Sequence, residues 1–293
     1  MYELKNAVGN SYYMDCPSKV GLIFVGDGEA CAIDGGSDKD AGKKVKKLLD
    51  AQGRKLTRIL NTHSHADHIG GNRYLQQQTG CRIFAPAAEQ PFCRNSVLEP
   101  AFLFGGKPPK ELQTKFYMAQ ESETEILTEA ALPTGMEILP LYGHSMGMVG
   151  YRSPDNAVYL ADCLSSVETL RKYRIPYIYD VEAYLHTLDL VGHMEAAVFI
   201  PSHAEACEDI RPLVRENTET IWRIAEDILS ICAEPMQLEA ILRELFGQYG
   251  LKMDFGQYSM LLGTVRSFLV WLRAEDRAEA AFEDNRLLWR KKS

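Results

Sequence analysis

Thr62-His63-Ser64-His65-Ala66-Asp67-His68-Ile69-Gly70-Gly71 decides how this chain is read. Residues 63–68 hold three imidazoles and a carboxylate, in a chain with seven histidines in all. They follow directly on Arg58–Thr62, which reads as a short strand. A polar surface loop does not concentrate histidine in this way. In an extended segment, positions two apart point the same way, so His63 and His65 can grip one metal ion. Asp67 and His68 come where the chain turns into a helix, read over Asp67–Gln78, and can face a second ion. Imidazole and carboxylate donors without cysteine suit Zn2+, with iron or manganese as alternatives.

Working outward, three further stretches place a donor at the end of an apolar run: Tyr142-Gly143-His144-Ser145-Met146-Gly147, Val158-Tyr159-Leu160-Ala161-Asp162 and Val198-Phe199-Ile200-Pro201-Ser202-His203. Alone, a Gly-His is a loop, an aspartate after a strand is a cap, and a histidine after a strand is a surface residue. In this order, with His-x-His-x-Asp-His at their head, they resemble the metallo-β-lactamase superfamily. The resemblance runs from about Gly21 to Ala204. It implies that His144 completes the first ion's ligands, that Asp162 bridges two ions, and that His203 completes the second set. It also implies an αβ/βα four-layer sandwich, with two mixed sheets face to face, helices outside and the metals at one edge. Two departures bear on turn geometry. Ala161 stands where the family has glycine, and Ser202 and Ala204 flank His203. Ile33-Asp34-Gly35-Gly36 resembles the family's Ile-Asp-Thr-Gly turn. Asp34 there either accepts a hydrogen bond from the free nitrogen of a ligating histidine, fixing its tautomer, or satisfies its own turn backbone.

The function implied by the resemblance is hydrolysis by a metal-bound hydroxide, generated because two ions lower the pKa of a shared water. Asp67 would ligate the second ion and orient the nucleophile. Asp162 argues against an antibiotic-hydrolysing β-lactamase, since members of that kind resembling this chain carry Cys or Ser at the bridging position. His65, where flavodiiron relatives tend to carry Glu, argues against an oxygen-reducing centre. The pattern is most similar to the group of hydroxyacylglutathione hydrolases, lactonases and acyl-thioesterases. The expected substrate is therefore a small-molecule thioester, ester or lactone, although no glutathione-binding set of basic residues matches. A phosphodiesterase or nuclease on the same fold and a mononuclear-iron persulfide dioxygenase remain as alternatives.

Two segments interrupt the alternation of strands and helices. Pro91–Glu121 is rich in Pro, Gly and aromatics, including Phe102 and Phe104, and reads as an elaborated loop or helical insert; loops of this length are often functional. Leu164–Asp180 carries Tyr173, Tyr177 and Tyr179. Phe102, Phe104, Tyr173 and Tyr177 either line an apolar acyl pocket or pack the insert on the core. His186 and His193 fall inside a helical stretch, Val181–Met194, match no family position and read as structural or surface residues.

The 293 residues fit a catalytic domain over 1–207 and a smaller one over 208–293. From Glu208 on, Thr218–Cys232, Pro235–Tyr249 and Gly256–Ala274 show helical apolar spacing. Pro235 suits a first helical turn, and Ala280–Trp289 reads as a hairpin. Helices and hairpin resemble a winged helix, which raises a DNA-binding role. Against it, residues 208–293 hold 12 Lys and Arg against 15 Asp and Glu, whereas a DNA reader shows a basic face. Arg286, Arg290, Lys291 and Lys292 are the one local cluster, so walling of the active site or subunit contact in a homodimer is the expected role. The net charge of −8 also argues against nucleic acid or an anionic membrane as partner. No run of apolar residues is long enough to span a membrane, and Met1–Asn10 does not read as a signal peptide. Seven scattered cysteines fit reduced thiols in a cytoplasm, with Cys163 a small buried hydrophobe.

Overall fold

The alternation of side chains along Val20–Val25, Glu29–Ile33 and Lys55–Leu60 explains the layering. The computed structural model describes residues 2–26 and 28–292; Met1, Asp27 and Ser293 lie outside the described residues. Among these residues, β1 (Glu3–Val8), β2 (Ser11–Asp15), β3 (Val20–Val25), β4 (Glu29–Ile33), β5 (Lys55–Leu60), β6 (Arg82–Ala85) and β7 (Thr124–Ile126) form one sheet in that spatial order. Pairing is antiparallel from β1 to β4 and parallel from β4 to β7. A second sheet has the order β11-β10-β9-β8, from β8 (Glu137–Pro140), β9 (Val149–Arg152), β10 (Ala157–Ala161) and β11 (Val198–Pro201). Only β10 and β11 pair in parallel within it.

In a strand, successive side chains face opposite sides. Ile23, Cys31, Ile33 and Leu60 accordingly point between the sheets, where they meet Val149, Tyr151, Tyr159 and Ile200. Their neighbours Leu22, Phe24, Ala30 and Ala32 face outward, against Val45 and Leu49 of α1 (Lys39–Ala51) and Leu75 of α3 (Asn72–Thr79). On the far side, Val158, Leu160 and Phe199 are covered by α7 (Val181–Gly192) and α8 (Arg211–Ile231). The result is the expected αβ/βα four-layer sandwich. Lys43, Lys44 and Lys47 lie on the exposed face of α1, as their spacing predicts.

The helix expected over Asp67–Gln78 is instead two helices, α2 (Ala66–Ile69) and α3, broken at Gly70-Gly71. The turn 35–37 presses against the break. A β carbon on Gly70 would lie 2.3 Å from Ser37 O, and one on Gly71 would lie 2.1 Å from Gly35 O. The insert folds into two short helices, α4 (Gln90–Arg94) and α5 (Leu98–Phe104), and loop 164–180 contains α6 (Val167–Tyr173).

Beyond β11 come α8, α9 (Leu238–Tyr249), α10 (Phe255–Ala274) and the hairpin β12 (Ala278–Glu283)–β13 (Arg286–Lys291). The proline that opens a helix is Pro212 in α8. Pro235 precedes α9, where the neighbouring Met236 bridges Trp289 of the hairpin. One apolar cluster runs without a break from Val158, Leu160 and Phe199 to Ile224, Leu242, Leu261 and Phe268, so the helices after 208 share a core with the second sheet. Among the described residues, no helix is long and apolar enough to cross a membrane.

Candidate metal centre

The seven donors named from sequence converge at the ends of β5, β8, β10 and β11. They fall into two groups, His63, His65 and His144 in one and Asp67, His68, Asp162 and His203 in the other, each with donor atoms within 4.8 Å of one another. In the first group His65 Nδ1 lies 3.1 Å from His63 Nε2 and 3.0 Å from His144 Nε2. In the second, His68 Nε2 is 3.1 Å from Asp162 Oδ1, and His203 Nε2 is 3.1 Å from Asp162 Oδ2 and 3.3 Å from Asp67 Oδ2. Asp162 Oδ2 also faces the first group, 3.6 Å from His144 Nε2 and 4.0 Å from His63 Nε2. Asp162 therefore stands between the groups.

The outer nitrogen of each ring shows which nitrogen is turned inward. His144 Nδ1 faces Tyr177 O at 3.2 Å, and His203 Nδ1 faces Pro17 O at 2.8 Å. A carbonyl only accepts, so both Nδ1 atoms donate and both Nε2 atoms are turned into the site. Asp34 serves both groups. Its Oδ2 accepts from His68 Nδ1 and from Thr62 Oγ1, each at 2.8 Å, while Thr62 Oγ1 lies 2.9 Å from His63 Nδ1. With its proton committed to Asp34, the hydroxyl accepts from His63. Asp34 also accepts from Thr62 N at 2.8 Å, and it holds a left-handed backbone with φ 64°. Of the two readings of Asp34, the geometry is that of the histidine partner.

Burial and charge act differently on the two groups. Burial, with His68 and His65 nearby, pulls His63 well below the ordinary imidazole value, and burial takes His144 down to about 3. Burial opposes protonation of His203, but Asp162 and Asp67 outweigh it and carry the ring up to about 10. His68 is raised in the same way, against its burial, by Asp162, Asp67 and Asp34. Burial acts to raise Asp162, yet His203 and His68 hold it well below the carboxylate range. Asp67 is likewise lowered, against burial, chiefly by His68 and His203.

Three residues at the site escaped the sequence reading. Ser18 Oγ donates to Asp67 Oδ2 at 3.0 Å and lies 3.1 Å from His68 Nε2. Glu99 of α5, buried, places Oε1 3.5 Å from His65 Nε2. Glu89, also buried, accepts from Ser64 N (3.1 Å) and Ser64 Oγ (2.5 Å) on one oxygen, and from Ser145 Oγ and Gly147 N (2.8 Å each) on the other. It ties the His63–His65 loop to the His144 loop. No motif marks these residues; each is a common polar type whose role arises only from distant partners.

A cavity of about 550 Å³ opens on His65, Asp67, His144, Asp162 and His203. Tyr173 and Tyr177 line it, but Phe102 and Phe104 do not. The helix α5 turns Glu99 and Leu103, four apart and so on one face, toward the cavity. That rotation sends Phe102 outward against Phe92 and Tyr179, with ring centroids 6.1 and 5.9 Å away, and leaves Phe104 39% exposed. Phe116 and Tyr117 from the insert and Met260 from α10 complete the wall. His186 and His193 are exposed on and beside α7 and join neither donor group. Cys163 is fully buried.

A sequence model of the metallo-beta-lactamase superfamily matches residues 13–203. The chain belongs to that superfamily. It is similar to a hydroxyacylglutathione hydrolase of Methylococcus capsulatus, 38% identical over 65 residues, which is 22% of this chain and 24% of the relative. The matched stretch thus spans about a quarter of that relative's length. Among solved structures, a beta-lactamase domain protein from Burkholderia ambifaria superposes with a TM-score of 0.75 at 18% identity, over 99% of this chain and 93% of its own. A metallo-beta-lactamase family protein from Thermus thermophilus gives 0.71 at 17% identity, over 96% and 99%. These likenesses speak to the fold, and they extend over the helices after β11.

Proposed function

We propose that the chain is a binuclear metal hydrolase that cleaves a thioester, ester or lactone. The observation that carries this reading is the pair of donor groups sharing Asp162. Supporting the fit to metal, Asp162 Oδ1 is buried and, though 3.1 Å from His68 Nε2, makes no well-directed hydrogen bond, and the outer nitrogens of His63, His68, His144 and His203 each face an oxygen acceptor. Outer partners of this kind are what orient ligating imidazoles. His63, His65 and His144 would hold one ion, Asp67, His68 and His203 the other, and Asp162 both. All-nitrogen and oxygen donors suit zinc, with iron and manganese accommodated by the same set.

When bound, the ions supply Lewis acidity toward a carbonyl oxygen and a water acidified to near-neutral pKa. Asp67, 45% exposed to the cavity, is the carboxylate placed to accept a hydrogen bond from the attacking water and aim it. Tyr177 packs edge-on against His65 and His144, with centroids 5.5 and 5.6 Å away, and closes that side against bulk water. Likeness to hydroxyacylglutathione hydrolases supports a thioester as the first substrate to try. For the helices after 208 we propose a walling role. In their basic cluster Arg286, Arg290 and Lys292 pair with Asp284, Glu279 and Asp276, which leaves little free charge for phosphate.

The test is a hydrolysis screen of thioesters, lactones, β-lactams and phosphodiesters on protein whose zinc, iron and manganese have been quantified. Two ions per chain with thioester or lactone turnover is expected. Phosphodiester turnover alone, or a single tightly bound iron, would overturn the reading.

A further inference from the structure

The cavity beside the donor groups has walls that restrict what can enter. Leu103, Phe116, Tyr117, Tyr173, Tyr177 and Met260 make most of its surface away from the donors. Two of them have little packed over them: Phe116 is 76% exposed and Tyr173 47%. Large apolar side chains exposed together around a concavity mark a surface that a ligand covers. The charges on the same wall nearly cancel. Lys172 and Glu168 lie four apart on α6, where opposite charges are neighbours, and Lys172 Nζ sits 4.7 Å from the Tyr173 ring centroid. The remaining carboxylate away from the donors, Glu99, is buried on the wall beside His65. Glutathione carries two carboxylates. A wall whose one cation, Lys172, already lies over Tyr173 and beside Glu168 offers no pair of free cations for them.

We infer that the cavity is an acyl subsite for a long apolar or aromatic acyl group, joined to a leaving group that need not be glutathione. This rests on the proposed ester or thioester hydrolysis and names its acyl class. The scissile carbonyl lies over the His65–His144 side, and its apolar substituent runs along Tyr177 toward Leu103, Met260 and Phe116. The insert and α10 build the subsite jointly. They meet where Tyr117 Oη approaches Gly256, so closely that a β carbon there would lie 2.1 Å from it.

Each methylene moved from water into an apolar site is worth roughly fourfold in binding. The test compares acetyl, butyryl, hexanoyl and octanoyl thioesters of N-acetylcysteamine and of glutathione on the zinc-loaded full chain. The expected result is a kcat/KM at least about thirtyfold higher for octanoyl than for acetyl, which is partial burial of six methylenes. Replacing the neutral thiol by glutathione should change it by no more than about threefold. Met260→Trp fills the cavity and should cut the octanoyl-to-acetyl ratio at least about tenfold. Phe116→Ala, at an exposed position that folding does not depend on, should also lower that ratio. A flat chain-length profile, or a clear preference for short hydroxyacyl glutathione thioesters, would overturn the subsite. If no thioester is cleaved, the proposed function fails separately. Calorimetric titration with N-octanoylcysteamine against N-acetylcysteamine then judges the cavity alone: tighter binding of the octanoyl amide sustains it, and equal or no binding ends it.

Discussion

Glu89 lets the rigidity of the first donor group be tested apart from its ligands. His63 and His65 follow β5 of one sheet, whereas His144 follows β8 of the other. A buried carboxylate accepting from Ser64 N, Ser64 Oγ, Ser145 Oγ and Gly147 N joins the two loops. Glu89→Gln keeps the shape but turns one oxygen into an NH2 donor. The hydroxyls of Ser64 and Ser145 can rotate to accept from it, but Ser64 N and Gly147 N cannot. One buried backbone donor is therefore left unpaired, at a cost of about 1–3 kcal/mol, and charge-assisted bonds to the other are weakened. The metal-free variant should lose about 2–3 kcal/mol of stability, a fall of roughly 5 °C or more in Tm. Relaxation of the two loops should lower zinc affinity about tenfold at one of two sites, since ligand-orienting partners act at this scale. Differential scanning calorimetry of the metal-free chain and competitive zinc titration against a chromophoric chelator read the two effects. If Glu89→Gln melted like the parent and bound both ions with unchanged affinity, the clamp would have no energetic content and the argument would be wrong.

Asp162→Ala should lose both ions and hydrolysis together while keeping its far-UV circular dichroism; elemental analysis showing two retained ions would end the bridging assignment. Asp34→Asn removes the charge that fixes His68 and Thr62, so metal affinity should fall about 10- to 100-fold, measured by the same chelator competition. Asp67→Asn should cost at least about tenfold in kcat, or 1.4 kcal/mol, whereas His186→Ala, exposed on α7, should be nearly silent in the same assay. The reverse pattern at unchanged metal content would mean that the site has been drawn around the wrong residues.

The candidate donors stand out in the sequence because they sit in short contiguous signatures that follow within a few residues of a strand. The four layers can be read because β3, β4 and β10 are apolar enough to be buried on both faces. The edge hairpin β1–β2 is not legible in the same way, since Glu3–Val8 is half-exposed and its pattern is polar. The break at Gly70-Gly71 depends on a turn thirty-odd positions earlier in the chain. Ser18 reaches Asp67 across 49 residues, and Glu89 reaches Gly147 across 58. Local periodicity holds no trace of such pairs. Ala161 in place of the family's glycine is plain in the sequence, and the structure gives its consequence: Ala161 sits at φ 51°, in the left-handed region that a β carbon disfavours.

A pocket wall is written in sequence less plainly than a set of metal-binding donors. A metal site needs particular donor atoms at a fixed radius, so residue type itself carries the information. An apolar wall needs only volume, which many residue types supply, and here it is assembled from elements far apart in the chain. Thr264 Oγ1 and Ser267 Oγ of α10 accept from Ile178 N and Val181 N at 3.1 Å each. Asn217 of α8 accepts from Ser165 N and donates to Ser165 O, both at 2.9 Å. These bonds fix the two ends of the loop that carries Tyr173 and Tyr177. The helices after 208 thus act on the cavity through packing and backbone bonds, without offering a donor to either group. On the proposed function, changes along α10 are expected to alter which acyl groups fit, and changes at Asp34 or Asp162 whether ions are held at all. The two sets of contacts meet at Tyr177, which lines the cavity, packs on His65 and His144 and accepts from His144 Nδ1 through its backbone oxygen, next to Ile178, which α10 holds.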